Sequence, residues 1–365
     1  MKRCVRPVSR LSESMADNLG QATRGLSLPL PPRYVEVDVL RGLAAFWVVL
    51  SHYLPYWNRY LGPTPTIVPN EWGVYAVKIF FLISGFVIFM TLDRCKSVAD
   101  FAVLRFSRLY PAYWATLVLA TVVSVLVFGR SFGLGGFVAN ATMLEDFLGY
   151  PRFDNIYWTL TVEISFYMIA GFLFALGLHR RTLLFVVVWL VIAAIWVLIF
   201  QQTDTDHRHW LALLFALDFS PYFGMGIVLF DVTKHGWSAA RAGVVGLAFA
   251  TEFLIAGWVG LCVALIVVIL FVLAIRGNLR FLVSKVTLWL GAISYALFLV
   301  HRNLGYESLD WLHEHHVSLA VAVPVTILGA LAIATLITYG VEKPSLQHIR
   351  SWHHQWKTRR ARSGV

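Results

Sequence analysis

Long apolar segments recur along most of the chain, separated by short polar or basic stretches. Each is long enough to cross the roughly 30 Å hydrocarbon core of a bilayer as a helix. The pattern predicts an all-α, polytopic integral membrane protein with about ten transmembrane helices. Glu252 and Gly257 are the only signs of a turn between the seventh and eighth segments. The ten predicted spans lie near residues 38–58, 74–92, 111–128, 156–177, 182–200, 210–230, 241–256, 258–275, 286–303 and 318–340.

Composition supports a membrane environment. Of the 365 residues, 58% are hydrophobic and 14% are charged, and the mean hydropathy is +0.69. Soluble domains are usually about one quarter charged. The three cysteines, Cys4, Cys95 and Cys262, lie far apart, which argues against a disulfide framework or a zinc site. We therefore expect no bound metal.

The basic residues indicate how the chain is oriented. The formal net charge is +10, but Lys and Arg are spread between the apolar segments, so we do not expect nucleic acid as a partner. With ten spans and the N-terminus inside, 23 of them lie in cytoplasmic segments and five on the outer side. Arg41 and Lys78 fall within spans. This positive-inside distribution predicts that both termini are cytoplasmic.

Three regions follow from this pattern. Residues 1–35 are polar and basic without a signal-peptide core, and they predict a flexible cytoplasmic leader. Residues 36–344 form the membrane domain, and 345–365 a basic cytoplasmic tail. Within the membrane domain, residues 93–110 predict an interfacial helix that ends before Pro111. The outward loop 129–155, rich in Gly and aromatic residues, is a candidate lid.

Several ionisable residues lie within or beside the spans, and their depth follows from the helical rise of 1.5 Å per residue. Counted from Asp38, Arg41 lies roughly 5 Å and His52 roughly 21 Å into the first span. Glu163 lies roughly 10 Å below the outer surface, near the level of His52. Lys78 and His301 also belong to the outer half. By this count, Arg41, Arg105 and Arg108 line the cytoplasmic side.

Charged groups in hydrocarbon usually face a cavity and have a function. Structural alternatives nevertheless exist for each. His52 could be a neutral ring bonded to a neighbouring helix, Arg41 could extend to the headgroups, and Glu163 could pair with Lys78. His301 could be solvated. Arg105 and Arg108 could be positive-inside markers alone.

Six motifs in order resemble those of the membrane-bound acyltransferase 3 family. The first is Arg41 and His52 separated by ten residues. The others are KIFFLISGFVI (78–88), RFSRLYPAYW (105–114), YWTLTVEISFY (157–167), GAISYALFLVH (291–301) and VEKP (341–344). They run from about residue 36 to 344. Lys78 departs from the family, in which many members carry an acidic or neutral residue at that position.

The resemblance implies transfer of an acyl group, usually acetyl, from acyl-coenzyme A to a carbohydrate or glycosylated hydroxyl. The catalytic residues expected are His52 as general base, Glu163 as its partner and Arg41. Arg41, Arg105 and Arg108 would bind phosphates of the co-substrate, acetyl-CoA. No permanently bound cofactor is expected. Candidate substrate-binding or oxyanion residues are Trp158, Ser84, Tyr295, His301 and Lys78.

The sequence is also consistent with one other mechanism and two other functions. A covalent acyl-histidine is the alternative chemistry. A transporter or flippase of lipid-linked saccharides would also use buried polar residues, although the sequence shows no internal repeat. A non-catalytic membrane scaffold is the third possibility. The expected partners are the acyl-CoA donor, the glycosylated acceptor and the lipid bilayer, and the expected location is the bacterial inner membrane.

Overall fold

The computed structural model of the protein describes residues 34–61, 72–127, 129, 133–200 and 206–362, and within these ranges the regular structure is entirely helical. The predicted leader lies outside them except for its last two residues. Short 3₁₀ turns precede α5, α6, α8 and α10. The helices are α1 (Val35–Leu61), α2 (Trp72–Leu92), α3 (Val98–Leu126), α4 (Leu134–Ala141), α5 (Trp158–Ala175), α6 (Thr182–Phe200), α7 (Asp206–Leu214), α8 (Ser220–His235), α9 (Ala239–Ile275), α10 (Lys285–Val300), α11 (Asn303–Glu314), α12 (Leu319–Ile337) and α13 (Lys343–Arg362).

Seven helical segments among these ranges are long and apolar enough to cross a membrane. They are α1, α2, α3, α5 with its preceding turn, α6, α9 and the α12–α13 segment. The predicted ninth span is α10, a shorter apolar helix of 16 residues. The predicted sixth span, 210–230, is not one helix, because the chain breaks between α7 and α8 where Ala216 adopts a left-handed conformation with φ 48°.

Gly257 divides α9 at the turn expected between the predicted seventh and eighth spans. Its backbone angles, φ 62° and ψ −157°, are not helical. In a continuous helix, residues eight apart are separated by roughly 12 Å along the axis. Yet a Cβ placed on Gly260 would lie only 2.8 Å from Glu252 Oε1. The chain therefore bends sharply here, and glycine supplies the positive φ that the bend requires.

The prediction that the interfacial helix within residues 93–110 ends before Pro111 is wrong. Helix α3 runs without interruption from Val98 to Leu126, with Pro111 inside it. Ser97 caps its first turn by accepting a hydrogen bond from the Asp100 amide. Arg105 and Arg108 are thus part of a long helix in the bundle, and both reach its interior.

Glycines allow two helix pairs to approach closely. A Cβ on Gly85 of α2 would collide with the Phe223 carbonyl of α8, and one on Gly226 would collide with the Leu82 carbonyl. Similarly, Gly291 of α10 packs against the α1 backbone at Asp38. These three glycines, of which Gly85 and Gly291 belong to the sequence motifs, therefore bring together helices that carry polar residues.

The described part of the candidate lid, residues 133–155, is attached to α3. Tyr110 and Tyr113 donate hydrogen bonds to the carbonyls of Thr142 and Asn140, at 3.0 and 2.7 Å. Trp114 Nε1 donates to the Ala141 carbonyl at 2.8 Å. This segment is thus held in place by several contacts with its neighbouring helix.

The C-terminal region predicted as a basic tail forms helix α13, which packs along the first half of α3. Lys357 Nζ and His353 Nε2 lie 2.7 and 2.8 Å from the Asp100 carboxylate. Arg350 Nε lies 3.4 Å from Ser107 Oγ. Helix α13 therefore runs antiparallel to α3, since its later residues meet the earlier residues of α3.

Candidate active site

A cavity of about 130 Å³ lies between α1, α2, α3, α5 and α10. It brings together six residues that the sequence singled out, and they come from five of the six motifs. Three further polar lining residues, Thr159, Tyr167 and Ser294, were not predicted. The polar residues that line the cavity are Arg41, Ser84, Arg105, Arg108, Thr159, Glu163, Tyr167, Ser294 and Tyr295.

Arg41 joins α1 to α10 at the edge of this cavity. Its Nε donates to Ser294 Oγ at 2.9 Å, and Nη2 donates to the Gly291 carbonyl at 3.0 Å. Asp38, one turn earlier, lies 3.5 Å away. The guanidinium is therefore held between two helices, whereas an arginine extended to the headgroups would lack these contacts.

Arg105 and Arg108 differ in how they are held. Arg105 Nη2 donates to Thr91 Oγ1 at 2.7 Å, while its buried Nε has no hydrogen-bond partner among the described residues. Arg108 forms an ion pair with Glu342, which lies at the end of the π-helical turn Thr338–Glu342. Arg105 consequently has a free donor in the bundle, whereas Arg108 already has a carboxylate.

Glu163 lies in the cavity, and the structure does not bring it to His52. Its Oε1 accepts hydrogen bonds from Tyr167 OH at 2.5 Å and from Ser84 Oγ at 3.3 Å. The depth count put Glu163 on the level of His52 and put the arginines below it. Because α3 continues through Pro111, Arg105 and Arg108 reach the cavity that Glu163 lines.

His52 lies beside His301, with ring centroids 5.0 Å apart. His52 Nδ1 is 2.9 Å from the Val48 carbonyl, and His301 Nδ1 is 2.7 Å from the Phe298 carbonyl. A carbonyl can only accept, so Nδ1 carries hydrogen in both rings, and in the neutral form of each ring Nε2 has the lone pair. His52 is partly exposed, and His301 is fully buried with no partner for Nε2 in the described structure.

Lys78 belongs to a different cluster. Its Nζ lies 2.6 Å from Glu252 Oε1, and Tyr222 donates to the same oxygen at 2.9 Å. The ammonium also lies over the Tyr222 ring, 5.1 Å from its centroid. The structural alternative of a Lys78–Glu163 pair is therefore wrong, since Glu252 is the carboxylate that Lys78 binds.

Two other candidates have structural contacts. Tyr295 OH donates to the Leu109 carbonyl at 3.1 Å, which occupies its only donor. Trp158 stacks on Phe219 with centroids 5.2 Å apart and does not line the cavity. Ser84 and Glu163 do line it, as does the ring of Tyr295.

Some of the site residues that were not predicted have a recognisable spacing in the sequence. Tyr167 follows Glu163 by four residues, so the two side chains share a helix face. Ser294 follows Gly291 by three residues, a spacing that also places two residues on one face of a helix. Glu342 stands in the VEKP motif, but its pairing with Arg108 joins distant parts of the chain. No group of three His, Cys, Asp or Glu residues suited to a metal ion occurs in the described ranges.

Comparison with known proteins agrees with this arrangement. Residues 34–339 match the family model described as an acyltransferase domain. Acyltransferase MdmB of Streptomyces mycarofaciens is 29% identical over 38% of this chain and 39% of its own length. ORF330 of Acidianus two-tailed virus, provisionally named an acetyltransferase, is 25% identical over 73% of this chain and 82% of its own.

A third relative is nodulation protein 10 of Rhizobium leguminosarum bv. viciae, 28% identical over 61% of this chain and 66% of its own length. No solved structure gives a significant match. The chain thus spans about two fifths of the length of MdmB and larger parts of the other two. Because the family model covers most of the sequence, and the motifs that resemble the family meet around one cavity, the chain belongs to the acyltransferase 3 family of multi-pass membrane acyltransferases.

Proposed function

We propose that this acyltransferase moves an acetyl group from acetyl-coenzyme A to a hydroxyl of a carbohydrate or glycosylated acceptor. The observation that supports this most directly is the orientation of His52. Its Nδ1 is engaged by the Val48 carbonyl, so the basic Nε2 is fixed in direction and available to a substrate. The family and its relatives support the acyl transfer itself.

His52 would act as the general base. The hydroxyl oxygen of the acceptor attacks the thioester carbonyl carbon while His52 Nε2 takes the hydroxyl proton. The new carbon–oxygen bond forms, the carbon–sulfur bond breaks, and the proton passes from the imidazolium to the coenzyme A thiolate. His301, rather than Glu163, is the neighbour that orients the His52 ring, because the two imidazoles are in contact.

The donor would approach through the cavity. Arg105, with its unpartnered Nε, is the arginine best placed to bind an anionic or carbonyl oxygen. Glu163, which accepts hydrogen bonds from Tyr167 and Ser84, lines the same cavity as Arg105. Phe298 lines the cavity and lies 5.7 Å from the His301 ring, so it connects the cavity to the histidine pair.

The location follows from the same proposal. Two of the three relatives come from bacteria, and the apolar helices together with the basic connecting segments support a location in a bacterial cytoplasmic (inner) membrane. Acetyl-CoA is a cytoplasmic metabolite, so the donor would enter from the side on which the basic segments lie.

Replacement of His52 tests the mechanism. In labelled acetyl-CoA assays with purified protein, we expect His52→Ala to lower acyl transfer by at least 100-fold, the usual range for loss of a general base. The matched control is His348→Ala, which removes an exposed histidine whose Nδ1 also lies 2.8 Å from a carbonyl four residues earlier. Near-normal transfer by a folded His52→Ala protein would refute the assignment.

A further inference from the structure

A second and larger cavity lies at the end of the bundle where α3 and α6 begin. Its volume is about 830 Å³, within the range of pockets that hold nucleotide-sized ligands and well above the 130 Å³ of the candidate active site. None of the six family-like motifs lines it. The smaller cavity cannot contain a nucleotide as well as a thioester arm, so a large donor needs additional space.

The charge around this second cavity favours an anionic ligand. Its two carboxylates have partners, since Lys234 lies 2.6 Å from Asp93 and Arg241 lies 2.6 Å from Asp231. Lys96 and Arg180 also line the cavity, and in the described ranges neither forms an ion pair. Two exposed cations therefore remain uncompensated at its rim.

Helix ends add to this positive potential. The first turn of α3, capped by Ser97, and that of α6, beginning at Thr182, both border the cavity. Helix N-termini carry a partial positive charge and free amide donors, which favour phosphate. These helix ends add to the positive potential that Lys96 and Arg180 produce at the cavity.

An aromatic pair offers a surface for a base. The rings of Phe174 and His179 lie 4.7 Å apart in the cavity wall. Burial, together with Arg180, lowers the pKa of His179, so the ring is neutral near pH 7.

The two cavities are adjacent. Arg105 of the smaller cavity donates a hydrogen bond to Thr91, which lies on the turn of α2 that carries Phe89 and Leu92 of the larger cavity. A ligand with a nucleotide head and a narrow arm could thus extend from one cavity to the other.

We propose that this larger cavity binds the phosphorylated nucleotide end of the acyl donor. Lys96 and Arg180 would contact the phosphates, and Phe174 and His179 would lie beside the base. This inference rests on the proposed function, because it assigns a subsite to the same donor. It moves the main phosphate contacts away from Arg41 and Arg108, whose guanidinium groups are already held by Ser294 and Glu342.

The test is calorimetric titration of purified protein with coenzyme A and, separately, with adenosine 3′,5′-bisphosphate. We expect the Lys96→Gln/Arg180→Gln variant to bind both at least tenfold more weakly. The control is Arg276→Gln, an exposed arginine just beyond α9 that lines neither cavity; it should bind like wild type. All three residues of the test and control are exposed, and thermal unfolding confirms that each variant is folded.

Each outcome bears on a different claim. If wild type binds coenzyme A and the dissociation constant of the double variant lies within twofold of the wild-type value, the larger cavity is not the nucleotide site. The inference is then overturned. If Arg105→Gln loses binding while the double variant keeps it, the phosphates lie in the smaller cavity instead. If wild type neither binds coenzyme A nor transfers acetyl from it, the proposed function itself is wrong.

Discussion

At the scale of single residues, the environment of a polar group decides its chemistry. His52 and His301 both have Nδ1 bonded to a main-chain carbonyl of their own helix, which leaves Nε2 as the basic atom in each. Only His52 is partly exposed, so it is the ring that a substrate can reach. The sequence placed both histidines in the outer half, and their contact follows from α1 and α10 being close-packed at Gly291.

Glu145 provides a test of pH dependence at this scale. Its side chain is buried between α4 and α5, with neither carboxylate oxygen bonded among the described residues. Burial and the nearby Asp146 raise its pKa from 4.5 to about 7. The folded protein therefore retains a proton that the unfolded chain loses above pH 4.5, and stability falls as pH rises from about 4.5 to 7.

We expect Glu145→Gln to remove this part of the pH dependence. Between pH 5 and pH 8, the melting temperature of wild type should fall by a few degrees more than that of the variant. Glu314→Gln, a change at an exposed glutamate, is the control. If wild type and Glu145→Gln follow parallel curves, the carboxyl does not titrate in this range.

At the scale of helices, glycines at the packing faces determine which elements meet. The sequence showed where these glycines stand but not which backbone each would contact, because that depends on packing between distant helices. Gly85 and Gly226 bring α2 against α8, and the same close approach fixes the wall of the cavity at Ser84. Small residues serve this purpose in membranes, where apolar surface alone does not drive helices together.

Gly226→Ala tests this contact. The added methyl group would collide with the Leu82 carbonyl, so we expect about 1–3 kcal/mol of destabilisation and reduced transfer. Gly246→Ala in α9 is the matched control, because its Cβ would meet open space. The control should equal or slightly exceed wild type in melting temperature, since alanine favours helix. Equal loss in both variants would show that the α2–α8 contact is not tight.

At the scale of the whole molecule, hydropathy predicted an all-helical membrane protein and most helix positions correctly. It failed where local signals conflicted with packing. Pro111 suggested a helix start, yet α3 continues through it, since proline removes only one main-chain hydrogen bond and the neighbouring helices hold both sides. Segment 210–230 looked like one span although the chain breaks at Ala216. Pairings across the bundle, such as Arg108 with Glu342, had no local signal.

The buried ion pair of Lys78 and Glu252 tests how the bundle is held together. It joins α2 to α9, with Tyr222 of α8 bonded to the same carboxylate oxygen. Removing one partner leaves a buried charge without a counterion, which costs about 3–5 kcal/mol, whereas replacing the whole pair is often neutral. We therefore expect Lys78→Met to destabilise the protein strongly.

The double variant Lys78→Met/Glu252→Gln should recover most of this loss, because glutamine is neutral and still accepts the Tyr222 hydrogen bond. Thermal unfolding in detergent measures stability, and labelled acetyl transfer measures activity per folded molecule. Recovery of both assigns Lys78 a structural role, separate from the substrate-binding role that its position in the second span suggested. If stability recovers but activity does not, the Lys78 ammonium takes part in the reaction, because a folded protein without it would be inactive.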